Sequence, residues 1–348
     1  MRTIVALLVF SGCRHDDLPQ FVTEHLQVTT YDEDVLCRGT LDRLEAQVVR
    51  VASFLDVGVP HDFRLHYGPS AVDRFCSGSA SGCAWGPADG TEIAGDDGSV
   101  MHELVHGVRS VNDVVGVRFF EEGLAEVLGG TAPTPYAVEL DPMSVEVGPV
   151  ALSAVEGGNF DDEYYPVAAH FMSWLLLDLD ADGARSFLTA AAYADSDTSA
   201  FDSSLGISLG EAETLWREGA ASSYAWGTVC DGDIAWAGAE AEVAGRLDCS
   251  EASTFGPVGG KMDSRCSYLI TPAGDLEVEF NAIAGEARIT NAQECEPTGG
   301  VTPEHHQSKS VAAGERVVLP FAACRWRVYV QSDDLESMDY RLAIRVPG

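Results

Sequence analysis

The chain has 348 residues and carries 55 acidic against 21 basic side chains, a formal net charge of −34 at pH 7. Only two of the basic residues are lysines, Lys261 and Lys309, so nucleic acids and anionic membrane surfaces make poor partners. The length allows two hydrophobic cores.

The chain opens Met1-Arg2-Thr3, continues through the apolar run Ile4 to Phe10, and reaches Ser11-Gly12-Cys13. A basic start, a short apolar core and small residues before a cysteine read as an export signal. The pattern resembles a bacterial lipoprotein signal, which implies removal of residues 1–12 and a lipid on Cys13. Membrane contact is then expected only through that anchor, in the bacterial cell envelope. No other stretch approaches the ~20 apolar residues of a membrane span.

Residues 38–56 read as an amphipathic helix, with Leu41, Leu44, Val48, Val51 and Leu55 on one side. Asp62 to Tyr67 alternates as a strand does. Ser77 to Asp97 is rich in glycine, with short strand pieces at Cys83-Ala84-Trp85 and Thr91 to Ala94.

His102-Glu103-Leu104-Val105-His106 follows a turn at Asp96-Asp97-Gly98-Ser99 that holds several helix N-cap candidates. On a helix, residues four apart share a face, so both imidazoles can reach one zinc ion. Glu103 lies about 100° around the helix. That direction suits a general base acting on a zinc-activated water better than it suits a ligand. Phe119 to Leu128 reads as the next helix. A catalytic zinc takes three protein ligands and keeps one open position. Glu122 is placed to be the third, with fifteen residues between it and His106. Glu126, one turn on, is placed to hold the free ring nitrogen of a ligating histidine. Glu121 is the neighbouring rival for the metal.

His-Glu-x-x-His followed by a Glu-Gly-Leu-Ala-Glu helix is similar to the gluzincin zinc metallopeptidases, the thermolysin and aminopeptidase N group. The resemblance implies one Zn2+ held by His102, His106 and Glu122, with Glu103 as base and Glu126 behind the ligands. The glycine after Glu122 fits that register and argues against Glu121. Tyr164-Tyr165-Pro166 opens a further helix, similar to one that carries an oxyanion-binding tyrosine in the aminopeptidase group. The resemblance assigns that role to Tyr165, with Tyr164 as the alternate, and implies an edge strand near residues 77–97 that pairs with substrate backbone. The Gly-x-Met-Glu-Asn segment that recognises a free amino terminus is absent from the sequence, which favours an endopeptidase. His170 reads as a packed or surface residue rather than a ligand.

Residues 165–178, 183–194 and 209–222 show helical spacing. Asp178 to Gly183 imitates the start of a calcium loop, but its twelfth position is Thr189, where a bidentate glutamate is needed. It reads as a connection between helices. From about residue 228, alternating segments at 267–270, 276–280, 287–289, 316–319, 325–330 and 340–344 point to an antiparallel β-sandwich. His305-His306 reads as a surface pair.

There are nine cysteines. With Cys13 lipidated, an even eight remain, as disulfides in an exported protein require. Cys76 and Cys83 suit a local bridge. Three of the eight precede the motif helices and five follow, so full pairing demands a bridge between the two parts.

The expectation is an α+β protein: a signal over 1–12, a mainly helical gluzincin-like domain with a small sheet over 13–227, and a β-sandwich over 228–348. The expected activity is zinc-dependent cleavage of peptide or protein substrates. The alternatives are a non-catalytic surface lipoprotein that binds through its sandwich, and a zinc hydrolase of a non-peptide substrate.

Overall fold

The computed structural model describes residues 18–32, 35–59, 61, 63–77, 81–85, 91–114, 116–129, 137–139, 142–155, 162–190, 199–221, 223–225, 230, 233–291 and 308–347. The signal segment with Cys13, Cys295 and His305-His306 lie outside the described residues. The fold is mixed α+β. It divides into two compact units, Met1–Asp34 with Leu44–Thr228, and Val35–Arg43 with Val229–Gly348. The short segment Val35–Arg43, ahead of the motif helices in sequence, thus counts with the C-terminal unit.

The first unit holds a five-stranded sheet of β1 (Gln20–Val22), β2 (Leu26–Thr30), β3 (Phe63–Tyr67), β4 (Gly82–Trp85) and β5 (Glu92–Gly95), in the order β1-β2-β3-β5-β4. β2, β3 and β5 run parallel, while β1 and β4 are antiparallel edges. Leu26, Val28, Phe63 and Leu65 are buried at every second position, the period of a pleated strand with one face on a core. Helix α1 (Arg38–Leu55) buries Leu41, Leu44, Val48, Val51 and Leu55, the apolar side read from the sequence. Its buried Gln47 donates from Nε2 to the carbonyls of Met101 and Leu128, both at 3.1 Å. That amide ties α1 to the helices Val100–Val111 and Arg118–Gly129.

The chain continues through α2 (Pro69–Phe75), α3 (Val100–Val111), α4 (Arg118–Gly129), β6 (Ala137–Glu139), α5 (Val147–Val155), α6 (Tyr165–Trp174), α7 (Ala181–Ala190), α8 (Ser199–Leu205), α9 (Leu209–Gly219) and β7 (Ser223–Ala225). A π-helical turn, Leu175–Leu179, extends α6. α4 and α6 approach closely because position 123 is glycine: a Cβ there would fall 2.6 Å from the Ala168 carbonyl oxygen. Aromatic rings fill the space between helices. Phe120 meets Phe187 edge to face at 4.7 Å, and Phe171 meets Trp216 at 5.6 Å. His170 is fully buried here and accepts from Trp216 Nε1 at 3.0 Å through Nδ1, so it is a packing residue. The acidic turn before α7 is a cap: Asp180 Oδ1 accepts from the backbone N–H groups of Asp182 and Gly183, both at 3.1 Å.

Among its described residues, the second unit has only β-strands outside the start of α1. One sheet has the order β17-β14-β19-β10-β9, formed by Arg316–Phe321, Gly274–Asn281, Met338–Arg345, Glu240–Leu247 and Trp236–Ala237. The other runs β11-β12-β18-β13-β8, formed by Thr254–Val258, Lys261–Ser264, Arg325–Gln331, Ser267–Ile270 and Asp233–Ile234. β15 (Glu286–Asn291) pairs with β18 and β16 (Ser308–Ala312) beside that path. Inward residues of both sheets, among them Val278, Phe280 and Leu342 from one and Trp326, Val328 and Ile289 from the other, share one core. The pairing is antiparallel except between β13 and β8, which run parallel. The sequence reading did not foresee that departure.

Cys76–Cys83 is the local bridge expected, and Cys37–Cys249, 212 residues apart in sequence, joins early chain to late chain within the second unit. Cys230–Cys266 is a third bridge, and Cys324 is also disulfide-bonded. Such bridges form and persist in oxidising compartments, in keeping with export. Among the described residues, no helix is long and apolar enough to cross a membrane.

Candidate metal centre

α3 starts where the sequence of its turn dictates. Asp96 Oδ1 accepts from the N–H groups of Gly98 and Ser99, both at 3.0 Å, and the Asp96 carbonyl accepts from Val100. Ser99 Oγ donates to the Ser81 carbonyl at 2.6 Å, fastening the helix start to the residue before β4. Leu104, Val105 and Val108 are fully buried, which fixes the rotation of α3 and turns His102 and His106 away from that core.

The two histidines meet Glu122 of α4. His102 Nε2 and His106 Nε2 are 3.0 Å apart, and Glu122 Oε2 lies 3.1 Å from the first and 3.2 Å from the second. Among the described residues, these three form the group whose donor atoms converge closely enough to hold a metal ion. The fit is good in distance and in chemistry. Two donors bound at about 2.0–2.1 Å to a tetrahedral metal lie about 3.3 Å from each other. Two imidazoles and one carboxylate also suit a divalent transition ion. On the other side of the His102 ring, Glu126 Oε1 lies 3.1 Å from Nδ1.

Glu121 is turned elsewhere. It takes a bidentate pair of donors from fully buried Arg109, with Nε to Oε2 at 2.7 Å and Nη2 to Oε1 at 2.5 Å. The Gly116 N–H also reaches it at 2.6 Å. Glu121 and Glu122 sit about 100° apart on one helix, and the neighbouring arginine and histidines sort them.

Glu103 stands beside the cluster and is buried. Burial pushes its carboxyl pKa up, against the pull of His102 and His106. β4 runs directly over it: a Cβ on Gly82 would fall 2.6 Å from Glu103 Cγ, so only glycine fits there. Burial also opposes charge on His102, but hydrogen bonds to Glu122 and Glu126 overcome it and push its pKa up to about 10. For Glu122, burial works upward, and the hydrogen bonds from His102 and His106 win, holding it well below the usual carboxylate range.

Tyr165 opens α6, with Pro166 in the first turn, where a backbone N–H is dispensable. Its ring centre is 6.2 Å from that of His102. A cavity of about 470 Å3 is walled by Gly82, Cys83 and Ala84 of β4, by the histidines with Glu103 and Glu122, and by Tyr165 and Arg118. Tyr165, and not Tyr164, lines it. Sequence reasoning passed over Arg118, which donates from Nε to Glu122 Oε1 at 3.3 Å. Its spacing, four residues before Glu122 on the same helix, was the available signal.

No protein-family model matches the chain, and no curated protein matches it. Among solved structures, a mitogen from Yersinia pseudotuberculosis is 14% identical with a TM-score of 0.22, over 31% of this chain and 86% of that one. TmCBM61, solved in complex with beta-1,4-galactotriose, is 13% identical with a TM-score of 0.18, over 30% of this chain and 71% of that one. HppE, solved with CoII and substrate, is 11% identical with a TM-score of 0.15, over 67% of this chain and all of that one. Likenesses this slight carry neither fold nor function to the chain.

Proposed function

We propose that the chain is a zinc-dependent endopeptidase with a gluzincin-type catalytic unit. The observation that carries this reading is the convergence of His102 Nε2, His106 Nε2 and Glu122 Oε2 within 3.0–3.2 Å of one another, with Glu103 alongside. Two histidines and a glutamate are the donor set of one group of catalytic zinc sites. Bound there, zinc supplies a Lewis acid that lowers the pKa of water and polarises a carbonyl.

The protein's own groups then divide the work. Glu103, its carboxyl raised by burial, takes the proton from the attacking water and delivers it to the leaving amine. Tyr165 donates a hydrogen bond from its hydroxyl to the oxyanion that develops on the substrate carbonyl. Glu126 holds His102 by Nδ1, which keeps Nε2 free to bind the metal. β4 is a sheet edge beside the cavity, open to pairing with an extended peptide backbone. Removal of residues 1–12 and lipid attachment at Cys13 complete the reading: a peptidase held at the bacterial envelope, acting on peptide or protein substrates.

The test is a pair of measurements on the full chain and on Glu103→Gln. Both proteins should carry one zinc per chain by elemental analysis. Hydrolysis of casein and of an internally quenched peptide library should fall by about 10²–10⁴-fold in the variant. Wild-type protein that holds no stoichiometric zinc after purification with zinc present would end the reading.

A further inference from the structure

We propose that Arg118 is a positioning residue, aiming both the metal-facing oxygen of Glu122 and the hydroxyl proton of Tyr165. The inference rests on the metallopeptidase reading and adds to it a group that no part of the sequence motif contains.

Arg118 opens α4, one turn before Glu122. Its Nε donates to Glu122 Oε1 at 3.3 Å, and the other oxygen, Oε2, is the one 3.1 and 3.2 Å from the two histidine nitrogens. The carboxylate is thereby divided, with one oxygen on the guanidinium and one on the metal-facing side. The terminal torsion of a glutamate is broad. Without a donor on Oε1, the group is free to rotate and to present either oxygen or both.

The same guanidinium lines the cavity beside Tyr165, and the two side chains interact electrostatically. A guanidinium only donates, so where the two side chains bond the phenol oxygen is the acceptor. The phenol has one proton, which is left to donate elsewhere, and the side chain borders the cavity. That is the arrangement an oxyanion donor needs before substrate arrives. Among the described residues, Arg118 is the one arginine or lysine along the cavity wall, and its side chain is 52% exposed. Exposed i,i+4 pairs contribute little to folding, so its place between two site residues points to function more than to stability.

The experiment compares full-length wild type, Arg118→Gln, Arg118→Lys, Tyr165→Phe and the Arg118→Gln/Tyr165→Phe double variant. Zinc affinity is measured by competition with a chromogenic chelator, and kcat and KM at saturating zinc with a quenched peptide. Circular dichroism checks that each variant is folded. Arg118→Gln should bind zinc about 10–100-fold more weakly, the usual cost of losing a group that orients a ligand. At saturating zinc it should lose at least about tenfold in kcat with little change in KM, since the oxyanion forms only in the transition state. Arg118→Lys, a single point of charge, should recover zinc affinity in part while kcat stays low. In the Tyr165→Phe background, Arg118→Gln should weaken zinc as before and cost no further kcat. Zinc affinity within about twofold of wild type in a folded Arg118→Gln variant, or kcat losses that simply multiply in the double variant, overturns the proposal. Wild type that binds no zinc overturns it together with the metallopeptidase reading. Wild type that binds zinc and cleaves peptide beside an indistinguishable Arg118→Gln overturns the proposal alone.

Discussion

Helix α4 carries two buried charge clusters on adjacent faces, built from consecutive glutamates. On one face, Glu121 is saturated by Arg109 and the Gly116 N–H. On the other, Glu122 turns one oxygen toward two imidazole nitrogens, which in their neutral form also offer lone pairs. The first cluster balances its charge with groups of the chain. The second brings two imidazoles and a carboxylate to one point, a group whose donor atoms could hold a metal ion. A buried acidic residue therefore says little by itself, and what faces it decides between a fold-holding and a metal-holding role.

The comparison is broken most severely at Glu121. Glu121→Gln leaves the charge of Arg109 fully buried without its partner. Losing one member of such a pair destabilises by about 3–5 kcal/mol. Urea unfolding of the variant should show that loss, and the surviving folded protein should still bind zinc. A cost below about 1 kcal/mol, or loss of zinc from protein that is still folded, would mean the two faces are not separate in role.

Glu126 sharpens the same contrast from behind the ligands. It pairs with His102 through Nδ1 at 3.1 Å, so its removal should leave the donor set intact and loosen one ring. Glu126→Gln should weaken zinc binding by about 10–100-fold in the chelator competition, with thermal stability of the metal-free protein little changed. Unaltered affinity would show that His102 is held by its packing alone.

Much of this was legible in the sequence where a period or a motif carried it. The apolar side of α1 and the histidine pair of α3 rest on helical spacing, which reports direction, whereas the choice of Glu122 over Glu121 rests on the family resemblance and the glycine that follows Glu122. The main strands of the second unit were readable because their inward residues are large. β10 and β16 were not. β10 reads Glu-Ala-Glu-Val-Ala-Gly-Arg-Leu and is half exposed, and alanine and glycine blur its alternation. β16 is a polar edge with Val311 as its one buried residue. β8 and β9 have two residues each, too few to show any period. Arg118 and Arg109 escaped for another reason. Each acts across a helix turn or between helices, and a basic residue beside acidic ones reads first as a solvated face.

A third acidic grouping, Asp178 to Gly183, tests the same lesson at smaller scale. By residue type it begins like a calcium loop. In the fold its carboxylates already have partners: Asp178 accepts from the Tyr224 hydroxyl, and Asp180 caps α7 through the N–H groups of Asp182 and Gly183. Asp180→Ala should therefore cost about 1 kcal/mol in urea unfolding, the usual value of a lost N-cap. The cost should be the same with millimolar calcium or with chelator, since Asp178 and Asp180 each already hold a donor of the chain. A calcium-dependent rise in Tm of the wild type that Asp180→Ala abolishes would put this grouping with Glu122 rather than with Glu121.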